Sequence, residues 1–200
     1  MRADAIVFGV AGALFGIIVG WVLGTQQAER TARDTAPVTQ AAPAQQQQQQ
    51  AAAPAQAVPV DPARVKALEE TAGKNPQDVQ ARIQLGNMFF DAEQYPQAIT
   101  WYEQALALNP SDTNVSTDLG VAYYYTNQAD RALAQFDQSL KNDPKHVKTL
   151  LNVGIVRAFG KQDLAGAGKA WQEVVDLAPD SPEGQAAKKG LEGIKAAQAK

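Results

Sequence analysis

Residues 75–110 read NPQDVQARIQLGNMFFDAEQYPQAITWYEQALALNP, and residues 109–144 read NPSDTNVSTDLGVAYYYTNQADRALAQFDQSLKNDP. The two stretches are versions of one pattern, and a third version follows in residues 143–179, DPKHVKTLLNVGIVRAFGKQDLAGAGKAWQEVVDLAP. Asn75-Pro76, Asn109-Pro110 and Asp143-Pro144 stand 34 residues apart, and Ala178-Pro179 follows after 35. Leu85-Gly86, Leu119-Gly120 and Val153-Gly154 keep the interval of 34. Ala98 and Ala132 keep it too, with Ala167 one residue late; Tyr102, Phe136 and Trp171 form a further series, as do Leu106, Leu140 and Val175. Self-similarity at a fixed period of this length marks a chain of stacked supersecondary units, each unable to bury its apolar face alone.

The residue types say what each unit is. Gly86, Gly120 and Gly154 fall in a first apolar-periodic run, and Ala98, Ala132 and Ala167 in a second. Small residues at matched places let two helices press together, while Tyr102, Phe136 and Trp171 fill the space beside them. The proline after each second run cannot extend a helix, and Pro96 suits a first helical turn. A 34-residue helix–turn–helix unit with these residues resembles the tetratricopeptide repeat. The resemblance covers about Gln77 to Pro179 as three repeats, 77–110, 111–144 and 145–179. It departs from the family where Arg82, Ser116 and Leu150 stand at the fourth position, often Trp. The aromatic pair Phe89 and Tyr123 is also followed by Arg157 in the third copy. That copy carries one extra residue near Phe159-Gly160-Lys161, which predicts a lengthened or kinked turn. Asp61-Pro62 opens a capping helix in 61–76, and Ser181-Pro182-Glu183 opens another in 180–200, since a solenoid needs polar end helices. The expected fold is all-α: about eight soluble helices, no sheet.

The rest of the chain differs in composition. Residues 1–4 are a short flank. Ala5 to Leu23, AIVFGVAGALFGIIVGWVL, holds no charge over nineteen residues, which as a helix reaches roughly 28 Å, near the hydrocarbon thickness of a bilayer. With Gly24 it reads as a transmembrane helix in contact with lipid, Trp21 lying near one interface. A cleaved signal peptide is the competing reading; its apolar core is usually shorter, and Val22-Leu23-Gly24 is a poor cleavage site. Lys and Arg near the two ends do not fix orientation, and an exported repeat domain on a bacterial inner membrane is the favoured arrangement. Gly12, Gly16, Gly20 and Gly24 recur every four residues on one helix face, a groove suited to packing on a second helix or a second copy. Residues 25–60 contain Pro37, Pro43, Pro54 and Pro59 and six consecutive glutamines from Gln45 to Gln50. With so few large apolar groups this stretch reads as a disordered tether.

Composition excludes several functions. There is no cysteine, so no disulfide, thiolate metal site or cysteine nucleophile. Net charge is −3 for the chain and for 61–200 alone, which gives no basic face for nucleic acid. His146 is the single histidine, expected at the surface of an inter-repeat turn with no catalytic constellation around it. Gly160, Gly166 and Gly168 form no phosphate cradle, and neither a metal site nor a cofactor site is expected. The sequence therefore reads as a non-enzyme.

Binding is expected on the first helix of each repeat. The resemblance implies a concave groove lined at the second, fifth, ninth, twelfth and thirteenth positions. Those positions hold Gln80, Ile83, Asn87, Phe90 and Asp91, then Asn114, Thr117, Val121, Tyr124 and Tyr125. The third repeat supplies Lys148, Leu151 and Ile155, with Ala158 and Phe159 affected by the insertion. One subclass of the family clamps acidic C-termini with Lys and Arg at the fifth and ninth positions; of the residues found there only Asn87 fits, which excludes that clamp. An aromatic, aliphatic and amide-bearing groove suits an apolar or amphipathic segment of a protein client. Some of these residues, Tyr124 and Tyr125 above all, have an alternative reading as packing between repeats. Anchor plus repeats resembles the membrane-anchored repeat subunits of c-type cytochrome maturation and, equally, other envelope-assembly proteins. The implied function is a scaffold or chaperone; the alternative is a membrane organiser that oligomerises through the glycine face.

Overall fold

The computed structural model describes residues 58–199. The expected membrane span, its glycine face and the tether up to residue 57 lie outside the described residues. Among the described residues no helix is long and apolar enough to cross a membrane.

Eight α-helices make up the described chain: α1 Pro62–Lys74, α2 Val79–Asp91, α3 Tyr95–Leu108, α4 Thr113–Tyr125, α5 Ala129–Asn142, α6 Val147–Ile155, α7 Leu164–Leu177 and α8 Pro182–Gln198. A π-helical turn, Val156–Gly160, continues α6. No strand occurs among the described residues. The fold is the expected all-α solenoid. Helices α2/α3, α4/α5 and α6/α7 are three antiparallel hairpins, each stacked on the next, with α1 against α2 and α8 against both α7 and α6.

Five of the eight helices start on a side-chain cap. The Asp61 carboxylate accepts the N–H of Ala63, and Pro62 occupies the first turn. Asp78, Asp112 and Asp163 accept the N–H of Ala81, Val115 and Gly166 at 2.9, 3.0 and 2.8 Å, and the Ser181 hydroxyl accepts that of Gly184 at 3.0 Å. Each satisfies one orphan amide of a helix start, worth about 1 kcal/mol. Asp78 and Asp112 are themselves 34 residues apart, a series within the period.

Between the helices of a hairpin the chain turns in three residues every time. The middle one is left-handed: Glu93, Asn127 and Gln162 have φ of 58°, 65° and 56°. The Gln94 amide donates to the Phe89 carbonyl and the Gln128 amide to Tyr123, each five residues back. In the third hairpin the Asp163 amide donates to Arg157, six residues back. The extra residue of the third copy is therefore not in the turn, which corrects the lengthened or kinked turn that the sequence predicts. It is taken up inside the helix as a π turn, so that the turn keeps its length. A one-residue insertion in a helix is accommodated in this way because widening one turn leaves the ladder on both sides intact.

The core follows the glycine–aromatic pairing. A Cβ on Gly86 would overlap the Tyr102 ring, one on Gly120 the Phe136 ring, and one on Gly154 the Trp171 indole. These three large side chains are almost wholly buried, together with Leu85, Leu119, Ala98, Ala132, Ala167 and Val174. Trp171 is enclosed from both sides, since a Cβ on Gly190 of α8 would stand 2.6 Å from its Cε3. Its indole N–H donates to the Leu151 carbonyl at 3.2 Å. Helix α8 thus closes the apolar end of the stack.

Candidate binding face

The first helices of the hairpins, α2, α4 and α6, carry the expected groove. Three of its residues, Gln80, Asp91 and Asn114, are exposed, and Ile83, Asn87, Val121, Tyr124, Tyr125, Lys148 and Phe159 are half-buried. The remaining five require correction as ligand-contacting side chains. Phe90 and Ala158 are 6 % exposed, Ile155 4 %, and Thr117 and Leu151 0 %.

Phe90 is buried by aromatic neighbours. Its ring meets Tyr95 edge-on at 5.4 Å, Tyr125 at 6.3 Å and Tyr102 at 6.4 Å. Tyr125 in turn stacks on Tyr95 at 4.5 Å with 13° between planes. This cluster joins the turn end of the first hairpin to α4, so the packing reading holds for Tyr125. Burial pushes the Tyr95 phenol up to about 12 and raises those of Tyr124 and Tyr125, so none ionises near neutral pH. Tyr124 lies one residue along and faces the next repeat, where a Cβ on Gly160 would stand 3.1 Å from its Cε2.

Leu151 and Ile155 are buried because α6 is packed by α4, α5, α7 and α8 as well as by its own π turn. Thr149 to Val156 is buried without a break. The equivalent positions of the second hairpin, Thr117 and Val121, differ from each other: Val121 stays half-exposed, while Thr117 belongs to a hydroxyl cluster with Ser139 and Thr149. Position within the repeat gives the face, but exposure depends on what is stacked against it.

Polar residues of the face are partly committed to the fold. The Asn87 side-chain oxygen accepts the Tyr102 hydroxyl at 2.7 Å. Lys148 Nζ lies 3.0 Å from Asp118, with the two side chains only 22 % and 16 % exposed, and so ties α6 to α4. Asp118 was not singled out from sequence; it stands beside Thr117 on the same helix and its spacing carries no signal of its own. The same holds for Tyr95, which closes the aromatic cluster from the start of α3. The π turn also settles the register of the third copy. Counted back from the conserved three-residue turn, Phe159 takes the place of Phe90 and Tyr124, and Gly160 that of Asp91 and Tyr125.

His146 is half-buried at the start of α6, not on the open surface. No group of three or more metal-ligating side chains occurs among the described residues.

Two family models match the chain, one described as TPR repeat over residues 86–127 and one as tetratricopeptide repeat over 117–182. Residues 86–182 are tetratricopeptide repeats. Solved structures share the fold. The Sgt2 TPR domain from Aspergillus fumigatus is 26 % identical, with a TM-score of 0.55, over 61 % of this chain and 80 % of that one. The first TPR of Spaghetti (RPAP3), bound to the HSP90 peptide SRMEEVD, is 23 % identical with a TM-score of 0.53, covering 70 % of this chain and 98 % of that one. The Yersinia enterocolitica type III secretion translocator chaperone SycD is 18 % identical with a TM-score of 0.57, over 60 % and 93 %. No curated protein matches the chain. The tetratricopeptide repeats of this chain thus share their fold with domains of peptide complexes and of a chaperone.

Proposed function

We propose that this protein is a non-catalytic, membrane-tethered scaffold or chaperone whose repeats hold an apolar or amphipathic segment of a protein client. The carrying observation is the composition of the accessible first-helix face. Ile83, Val121, Tyr124 and Phe159 offer half-exposed apolar surface across all three repeats, with Gln80, Asn87 and Asn114 as amide partners beside them. Its one lysine is neutralised by Asp118. A client lying there is held by apolar anchors at helical spacing and not by its charge. Binding of an HSP90 peptide by the Spaghetti repeats supports the use of this fold for peptide capture. The uncharged run from Ala5 to Leu23 supports attachment to a membrane; the setting proposed is a bacterial inner membrane with the repeats on the extracytoplasmic side, in envelope assembly including cytochrome c maturation.

The test is crosslinking and pull-down from membranes, comparing the intact protein with an Ile83→Gln/Val121→Gln double variant. Both side chains are half-exposed, so the fold is retained, which circular dichroism checks. Loss of a specific client by at least about tenfold, the effect of roughly 1.4 kcal/mol, is expected. Equal recovery of every partner by both proteins refutes the groove and moves the search to the glycine face of residues 12–24.

A further inference from the structure

His146 stands where the first two repeats place Asp78 and Asp112. The three residues share one backbone conformation, with φ of −75°, −72° and −68° and ψ of 96°, 98° and 97°. The two aspartates accept a backbone amide of their helices, whereas the His146 side chain caps no backbone amide of α6. Its Nδ1 lies 2.7 Å from Thr149 Oγ1. Thr149 Oγ1 lies 2.6 Å from Thr117 Oγ1 and 2.8 Å from Ser139 Oγ, and the Thr117 and Ser139 hydroxyls both reach the Thr113 carbonyl, at 2.7 and 3.2 Å. The three hydroxyl residues are fully buried. They come from α4, α5 and α6, so a single imidazole closes a polar knot at the joint of the second and third repeats.

We propose that this joint is a proton-sensitive switch, locked when His146 is neutral and loosened when it is protonated. In the neutral ring with hydrogen on Nε2, Nδ1 accepts the Thr149 proton. Thr149 then accepts from Thr117 or Ser139, the other donates to Thr113, and every group is satisfied. Protonation makes Nδ1 a donor. Thr149 must then turn its own hydrogen toward Ser139, and the hydroxyl chain reverses, Ser139 donating to Thr117 over 3.0 Å and Thr117 to the Thr113 carbonyl. A cation is also set half-buried at a helix N-terminus, where the backbone dipoles disfavour it.

The charged groups facing the ring come from each element around it. Asp118 on α4, Asp143 at the end of α5 and Glu183 on α8 favour the imidazolium, and Lys148 on α6 opposes it. Loss of water outweighs the three carboxylates and holds the ring below its ordinary 6.5. With the folded value below the unfolded one, the contribution is fully present above about pH 6.5 and is lost as pH falls through the folded value.

His146 is the single histidine, so its ring can be titrated by NMR in the full-length chain without ambiguity. A midpoint below 6.5 is expected. Alongside it, intrinsic-rate-corrected amide exchange of Leu150 to Val153 is compared at pH 7.5 and pH 5.0. Protection in the wild type falls by roughly threefold or more, and in His146→Asn it stays level. His146→Asp reproduces the cap of the other two repeats, titrates outside this window, and serves if the Asn variant does not fold. A midpoint at or above 6.5, or equal pH dependence in wild type and variant, overturns the switch.

Discussion

The glycine–aromatic pairing makes a prediction of opposite sign at two glycines. Consider Gly154→Ala. The added methyl overlaps the Trp171 indole, which cannot retreat, because Gly190 of α8 backs its other side and its N–H is held by the Leu151 carbonyl. Overpacking a core costs about 1–3 kcal/mol, and losing the indole bond about 1, while alanine in a helix interior recovers about 1 relative to glycine. The net loss is about 2 kcal/mol, and the midpoint of thermal unfolding drops by roughly 6 °C for a domain of this size. Gly73→Ala on α1 is the control. Nothing lies within 4 Å of its Cβ, and its φ is not left-handed, so only the helix term remains, a gain of about 0.5 kcal/mol near a helix end. Both are measured by thermal and by urea unfolding of the full-length chain in mild detergent, followed by circular dichroism. Gly154→Ala as stable as wild type would mean that the indole is not pinned between two helices, and the account of how α8 closes the stack would fail.

Four further substitutions test the rest of the fold by the same assay. Phe90→Ala removes a buried ring from the Tyr95–Tyr102–Tyr125 cluster and should cost about 3 kcal/mol; a loss under 1 would return Phe90 to the accessible face. Glu93→Gly and Gln162→Gly relieve a left-handed residue in the first and third turns. Each should gain about 0.5 kcal/mol, whereas Asn127→Gly should change little because asparagine tolerates that region.

The period of 34 residues made most of the fold legible, because each repeat restates the same packing. Gly120 meeting Phe136 was readable since Gly86 and Tyr102, and Gly154 and Trp171, repeat it. The candidate face was legible only in part. Ile83 and Val121 are accessible as the period implies, yet Leu151 and Ile155, at the same fifth and ninth positions, are buried. Burial is a property of neighbours, and α6 has α8 against it in addition to α4, α5 and α7. Thr117 fails for a related reason: its hydroxyl completes a cluster whose other members, Ser139 and Thr149, lie 22 and 32 residues away, at no multiple of the repeat.

The third repeat shows how one departure is absorbed and what that does to the face. The sequence announced an extra residue but not its place, since a longer turn and a wider helical turn give the same spacing. The three-residue turn decides between them. Its left-handed middle residue and the backbone bonds around it fix how two helices meet, so lengthening it would move α7 off α6 and pull Trp171 from Gly154. A π turn leaves that pairing untouched. It shifts only the register of Val156–Gly160, which brings Phe159 level with Tyr124 and carries half-exposed aromatic surface into the third hairpin. The packing of the buried indole thus dictates where the insertion goes, and the accessible face inherits Phe159 as the consequence.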